Sequence, residues 1–266
     1  MKKRLFVTLF IFVIASVVLA QSRPLTTKQR RQNVTPGGTS CGQDPLLPTD
    51  GTVAYDFVSG GATNWYLVNL KAGHSYAVEV YDNIDTVVAG TASLTLTASD
   101  CITTLPTTEV ASMDPDLTGA GDRISWIQSA DFQAYVQVNT SDPNGTAYNL
   151  RIVDTTLHNP RWSTFSGYKT QYAIWNVTEA TITGTLTLTQ VIGNGCCAVY
   201  TSSISIPTGN QSFTVISQGG TIDVPPNQSG NALLAFIGPP GALVADAYFT
   251  GPGIVPSTFG PRNYQH

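Results

Sequence analysis

The chain has 266 residues, of which 42% are hydrophobic and only 11% are charged, and its formal net charge is −4. From Cys41 onward, six basic residues stand against seventeen acidic ones. A chain this acidic repels phosphate backbones, so we expect no binding to nucleic acid.

A secretory signal is predicted at residues 1–20. Three basic residues at positions 2–4 precede an almost unbroken apolar run at 5–20, which ends in small residues and predicts cleavage after Ala20. The alternative, a membrane anchor, is less favoured because the run is shorter than a span requires. We therefore expect a secreted or cell-surface protein with no membrane span after cleavage. Residues 21–40 show no apolar periodicity and are predicted to form a flexible leader.

Residues 41–155 contain short alternating runs separated by Gly, Pro, Asn and Asp, which predicts a β-sandwich. In SLTLTAS, Leu94 and Leu96 would share one face of a strand. The Asn144-Gly145 pair predicts a hairpin turn. The predicted strands are 52–58, 64–70, 75–81, 92–98, 123–128, 134–139 and 147–153.

A second cluster of the same kind at residues 156–256 predicts a second sandwich, after a hinge near 154–160. The residues from 257 to 266 are predicted to form an irregular tail. The predicted strands of this cluster are 169–176, 181–191, 198–206, 211–217, 232–237 and 243–249.

The first cluster resembles the bacterial pre-peptidase C-terminal domain over about residues 41–155. The resemblance rests on ATNWYLVNLKAGHSYAVEVYD (62–82), SLTLTAS (93–99) and ISWIQSADFQAYVQVNTSDPNGTAYNLRIVD (124–154). It implies a small jelly-roll-like sandwich that serves as a non-catalytic module of secreted proteins. RWSTFSGYKTQYAIWNVTEATITGTLTLT (161–189) resembles the opening hairpin of an immunoglobulin-like or fibronectin-like sandwich, which implies a fold and no activity.

Four cysteines in a secreted chain predict disulfides. Cys41 and Cys101 fall in the same cluster, so we expect them to pair. Cys196 and Cys197 are adjacent and would point to opposite faces of a regular strand. Because they follow a turn, a disulfide between them is one alternative, and pairing across domains or between chains is the other. A zinc site is not expected, since it needs about four Cys or His ligands with longer gaps.

Two Asp-rich loops are candidates for calcium, which prefers carboxylate oxygens. The candidate ligands are Asp82, Asp85, Asp114 and Asp116. The competing interpretation is that Asp is simply common in turns.

Three aromatic residues near the predicted hinge are candidates for binding: Trp162, Phe165 and Tyr168. They would seal the contact between the domains or line a groove there. A row of threonines at alternate positions from 181 to 189 would give one strand a hydroxyl face. That face is either a flat surface for ice or glycan or an ordinary exposed strand, where Thr is favoured. The histidines at 74, 158 and 266 are expected in surface turns.

The sequence thus predicts an all-β protein of two consecutive antiparallel β-sandwich domains, jelly-roll-like and then immunoglobulin-like, after a cleaved signal peptide. We expect a non-catalytic binding or adhesion protein of the bacterial surface or extracellular space. Its partner would be an extracellular glycan or protein, and it would need no cofactor unless calcium binds.

Two alternatives to this function stay open. One is a structural subunit of an extracellular filament that self-associates by β-strand pairing, with the leader or the residues from 251 to 266 exchanged between copies. The other is a hydrolase, for which a dense cluster of polar side chains in a concave pocket would be the sign.

Overall fold

The computed structural model describes residues 36–42, 44–82, 92–105, 108–110, 121–193, 197–251, 255–258 and 260–261. The predicted signal peptide and most of the predicted leader lie outside these residues. Within them the chain forms β-strands and one 3-10 turn at Phe165–Gly167, so the all-β prediction is confirmed. No helix in this part of the chain is long and apolar enough to cross a membrane.

Thirteen of the eighteen strands that the structure describes were predicted. The exceptions lie at 108–110, 157–163, 222–223, 255–258 and 260–261, and the last two show that the predicted irregular tail is partly paired as strand. In chain order the strands are β1 (Ala54–Val58), β2 (Thr63–Leu70), β3 (Ser75–Asp82), β4 (Ala92–Ala98), β5 (Thr108–Val110), β6 (Gly121–Ile127), β7 (Phe132–Thr140), β8 (Thr146–Asp154), β9 (Leu157–Ser163), β10 (Lys169–Asn176), β11 (Ile182–Ile192), β12 (Val199–Ile206), β13 (Gln211–Ser217), β14 (Ile222–Asp223), β15 (Ser229–Ile237), β16 (Leu243–Thr250), β17 (Val255–Thr258) and β18 (Gly260–Pro261).

Strands β1 to β8 form the first sandwich. One sheet has the order β1-β8-β3-β6-β5 and the other the order β2-β7-β4, and all neighbouring strands are antiparallel. Alternate residues of each strand point between the sheets, so side chains such as Tyr66, Val136 and Ile152 form a continuous buried core.

Strands β9 to β18 form the second sandwich. Its sheets have the orders β14-β13-β10-β16-β17 and β12-β11-β15-β9-β18, and every pairing is antiparallel except the short parallel pair of β13 and β14. Its separate core contains Trp162, Ile174, Leu186 and Phe236. Burial of these large apolar side chains is the main stabilising contribution in each sandwich.

The link between the sandwiches is short and buried, where the sequence predicts a hinge. Only Thr155 and Thr156 separate β8 from β9, and both side chains are buried. Thr155 Oγ1 donates to Ser75 Oγ over 2.9 Å, and the Ser75 backbone N–H donates to Thr156 Oγ1 over 2.8 Å. Both link residues are therefore bonded to Ser75, the first residue of β3 in the first sandwich.

The two sandwiches also touch along a sheet face. Strand β15 of the second sandwich lies against β3 and β6 of the first. The two sandwiches belong to the same compact unit of the chain. Ser125 Oγ donates to the Gly238 carbonyl over 3.2 Å. Ala77 and Ala235 are buried outside either core, as expected for small residues at a close contact between sheets. The second sandwich thus covers the outer face of β3 and β6, which is part of the five-stranded sheet of the first sandwich.

Candidate functional site

The predicted threonine row is half of a larger hydroxyl face. The side chains of Leu186 and Leu188 point into the second core, so the alternate residues of β11 point outward. In the register of β11 and β12, Thr183 lies opposite Ser205, Thr185 opposite Ser203 and Thr187 opposite Thr201. Thr189, the last threonine of the row, lies opposite Val199. We call the following set the hydroxyl face: Thr183, Thr185, Thr187, Thr189, Thr201, Ser203 and Ser205.

All members of the hydroxyl face are exposed or partly exposed, and β12 is the edge strand of its sheet. Side chains on one face of a sheet repeat at roughly 7 Å along a strand and about 5 Å across strands. Neither strand carries a charged residue. The face is therefore a neutral array of groups that can each donate and accept a hydrogen bond.

An apolar tip adjoins one end of the hydroxyl face. Val191, Ile192 and Val199 are 62%, 60% and 59% exposed at the end of the β11–β12 hairpin. Cys197, next to this tip, is disulfide-bonded. Its backbone φ is 73°, a left-handed conformation that residues other than glycine rarely adopt. Cys196 lies outside the described residues, so the pairing of the two adjacent cysteines stays a prediction.

The predicted Cys41–Cys101 disulfide is present in the structure. The two Cα atoms are 6.1 Å apart, and the bond spans 60 residues of sequence. Cys41 lies in a turn that follows the Gly38 bridge to β2, and Cys101 lies in the loop that follows β4. Residues 36–40 were predicted to belong to a flexible leader, yet Gly38 forms an antiparallel bridge with Trp65 of β2.

Two histidines that sequence reasoning placed in surface turns come together at the junction of the sandwiches. His74 is buried, and its Nδ1 lies 2.7 Å from Asp154 Oδ2. The rings of His74 and His158 have centroids 5.5 Å apart. Burial disfavours the charged carboxylate, but hydrogen bonds from His74 and Thr156 outweigh it and lower the pKa of Asp154.

This His–Asp pair resembles two members of a hydrolytic triad, but its surroundings do not suit a substrate. The nearest hydroxyl in sequence, that of Ser75, belongs to a fully buried residue and accepts a hydrogen bond from Thr155. A nucleophile must be reachable by the substrate, so the arrangement is suited to holding the junction together.

A second polar cluster joins β1, β2 and β8 inside the first sandwich. Asp56 Oδ2 accepts hydrogen bonds from Tyr66 Oη over 2.6 Å and from Asn64 Nδ2 over 3.2 Å. The hydroxyls of Tyr66 and Tyr148 lie 2.7 Å apart. Burial raises the pKa of both phenols well above the usual value of 10, so both remain neutral. The cluster provides partners for polar groups that the core would otherwise leave unpaired.

The three predicted binding aromatics have different environments. Trp162 is fully buried in the second core, and its Nε1–H donates to the Asn231 carbonyl over 2.9 Å. An indole in this position is not accessible to an external ligand. Phe165 and Tyr168 are partly exposed around the 3-10 turn, and the Tyr168 ring packs closely against Gly251.

The predicted calcium ligands fall outside what the structure describes. Asp85, Asp114 and Asp116 are not among the described residues, and only the backbone of Asp82 is described. Across the residues that are described, no group of three or more His, Cys, Asp or Glu side chains is arranged to hold a metal ion.

No family model matches the chain, and no curated protein matches its sequence. The resemblance of the first sandwich to the pre-peptidase C-terminal domain therefore stays a prediction.

Proposed function

We propose that the protein is a secreted, non-catalytic binding protein that attaches to its partner through the hydroxyl face and the apolar tip of the second sandwich. The observation that carries this proposal is the register of β11 and β12, which places two rows of hydroxyl side chains side by side and ends them in three exposed aliphatic residues. Exposed aliphatic side chains clustered at one place on a protein mark an interaction site more often than scattered ones do.

The chemistry of this surface favours an uncharged polar partner. Because neither strand carries a charge, attraction between ions contributes nothing at the contact, and binding should be insensitive to salt. Hydroxyl groups in such an array can bond to the hydroxyls and amides of an extracellular glycan or of a protein surface. The apolar tip then adds burial of aliphatic area, which favours a protein partner over a glycan.

The disulfide at Cys41 and Cys101 fits a protein that works in an oxidising compartment, as the predicted signal peptide requires. The two buried polar clusters support a non-catalytic function, because their hydroxyls and carboxylates are bonded to one another inside the fold.

The test is a binding screen of the purified chain against glycans and extracellular matrix proteins, repeated at low and high salt. For any partner found, Ser203→Lys in the hydroxyl face should weaken binding at least about tenfold, since it places an unpaired charge against a neutral partner. The matched control is Ser93→Lys, which changes an exposed serine on the outer face of β4 in the first sandwich and should leave binding unchanged. Equal effects of the two variants, or binding that disappears at high salt, would contradict the proposed surface.

A further inference from the structure

The segment before β1 covers the edge of β2 through two backbone bridges, which are antiparallel at Gly38 and parallel at Leu46. We call residues 36–42 and 44–47 the N-terminal segment. Gly38 and Trp65 exchange two backbone hydrogen bonds of 3.0 and 2.9 Å. Leu47 N–H donates to the Leu67 carbonyl over 2.8 Å, and Leu67 N–H donates to the Pro45 carbonyl over 3.0 Å. The N-terminal segment thus pairs the outward N–H and C=O groups of both Trp65 and Leu67 at the edge of β2.

Side-chain packing also holds the N-terminal segment against the first sandwich. Leu47 is 0% exposed and belongs to the first core, whereas its neighbour Leu46 is 54% exposed. Gly37 N–H donates to Asp56 Oδ2 over 2.6 Å, and a Cβ at Gly37 would lie 2.9 Å from the Tyr66 ring. The rest of the sandwich therefore forms a complementary surface for this segment, and Leu47 fills a space in the first core.

The opposite edge of the same sheet is covered in a similar way. Ala98 N–H donates to the Thr103 carbonyl over 2.8 Å, and Leu105 N–H donates to the Leu96 carbonyl over 3.0 Å. The Cys41–Cys101 disulfide links the covering segment of β2 to the loop that covers β4. Covered edges in general protect a sheet against pairing with another chain, and this bond joins the two segments that cover the edges here.

We propose that the edge of β2 accepts the N-terminal segment of a second copy of this chain, and that the Cys41–Cys101 disulfide decides whether the segment stays with its own sandwich. An empty β2 edge would leave four backbone groups unpaired and a cavity in place of Leu47. The same segment from another copy restores every one of these contacts, which is the basis of strand exchange between identical chains. This assembly uses a different surface from the hydroxyl face and does not depend on the binding function.

The disulfide can form within one chain or between two. Reduction by a dithiol breaks the S–S bond, adds two electrons and two protons to give two thiols, and leaves the dithiol as a cyclic disulfide. After exchange, Cys41 of one copy lies beside Cys101 of the other. Oxidation by glutathione disulfide then removes two electrons and two protons and yields an intermolecular bond together with two molecules of reduced glutathione.

Two variants of the full chain, each lacking one partner of the Cys41–Cys101 bond and keeping Cys196 and Cys197, test the proposal. Cys101→Ala keeps the thiol of Cys41, and Cys41→Ala keeps the thiol of Cys101, so neither can form the bond within one chain. The two are mixed at several concentrations in a glutathione redox buffer, and cross-linked peptides are mapped by mass spectrometry. Exchange predicts a covalent heterodimer joined through Cys41 and Cys101, increasing with protein concentration.

The matched control replaces the Cys41→Ala chain by one that carries Cys41→Ala, Cys101→Ala and Thr208→Cys, which offers an exposed thiol in a turn of the second sandwich. Docking raises the effective concentration of the paired thiols, so the heterodimer should exceed the control by at least about tenfold. Equal yields in the two mixtures would overturn the proposal.

A second pair of variants separates docking from chance collision. Leu47→Asp in the Cys41-bearing chain should abolish the heterodimer, because a carboxylate cannot enter the core cavity. Leu46→Asp, one position away and exposed, should leave the yield unchanged. If the Leu47→Asp chain does not fold, the Thr208→Cys comparison alone decides. Heterodimer formation that is insensitive to Leu47→Asp in a folded chain would overturn the proposal.

Discussion

Glu79 of β3 lies directly opposite Arg123 of β6, and the two form a buried ion pair in the first sandwich. Arg123 Nε donates to Glu79 Oε1 over 2.5 Å. On the other side of β3, Arg151 of β8 is also in register with Glu79 and donates to Oε2 over 2.5 Å. One carboxylate thus bridges two guanidinium groups across three adjacent strands of this sheet.

Removal of this carboxylate should be strongly destabilising. Glu79→Ala leaves two largely buried guanidinium groups without the carboxylate between them, and we expect the free energy of unfolding to fall by about 3–5 kcal/mol. Glu179→Ala, in an exposed loop, should change it by less than about 0.5 kcal/mol. Denaturant titration of both variants measures the difference. A loss below about 1 kcal/mol for Glu79→Ala would show that the ion pair does not stabilise the sheet.

Asp154 should make the fold sensitive to acid. Burial opposes its ionisation, but hydrogen bonds from His74 and Thr156 hold its pKa below the usual value of 3.8. The unfolded chain therefore binds a proton at this carboxyl at a higher pH than the folded chain does. The stabilising contribution is complete above about pH 5 and is lost as the pH falls through 3.8 and then through the lower folded-state pKa.

Asp154→Asn tests this dependence, because the amide cannot ionise. The free energy of unfolding of the unmodified chain should exceed that of Asp154→Asn at pH 6, and the difference should shrink at pH 3. Urea titrations at the two pH values measure it. A difference that is the same at both would mean that ionisation of Asp154 does not stabilise the junction.

Truncation of two adjacent leucines should lower the free energy of unfolding by very different amounts. Leu47→Ala leaves a cavity in the first core and should lower the free energy of unfolding by about 2–5 kcal/mol. Leu46→Ala removes a side chain that is mostly exposed and should cost less than about 0.5 kcal/mol. Thermal and denaturant unfolding measure both. Similar small losses for the two variants would mean that the N-terminal segment is not part of the folded core.

Trp162 should act on stability and not on binding. Trp162→Ala empties a large site in the second core and should cost about 3–5 kcal/mol. Phe165→Ala, at a partly exposed position, should cost much less. Affinity for any partner of the hydroxyl face should be unchanged by Phe165→Ala. A loss of affinity in that variant would move the binding surface towards the predicted aromatic group.

Strand positions could be predicted well where side chains alternate. The predicted strands at 92–98, 169–176 and 211–217 coincide with β4, β10 and β13. The sequence predicts a hinge where β9 begins, because LHNPRWS carries His, Asn, Pro and Arg without alternation. This segment is a strand because its backbone pairs with β15, with a register shift between Gly230 and Ala232. Backbone hydrogen bonds do not require a particular side chain, so the sequence holds little signal for such a strand.

The candidate site was predictable only in part, for the same reason. Alternation along β11 was enough to predict a threonine row, but the exposed row on β12 becomes part of the same surface only through the register Thr187 to Thr201. The pairing of Cys41 with Cys101 could be expected from their position in one cluster. The sequence does not predict that this bond joins the segments that pair with the edges of β2 and β4. No local pattern marks which segment pairs with the edge of a sheet.

The sequence by itself determined the class of fold and the inward face of most strands, because the two-residue period of a strand is a local property of the chain. Only the tertiary structure decided the contacts between residues far apart: Glu79 with Arg151, His74 with Asp154, and the N-terminal segment with β2. These contacts depend on strand order and register, which are selected by the free energy of the whole packed sandwich and not by any short stretch of residues.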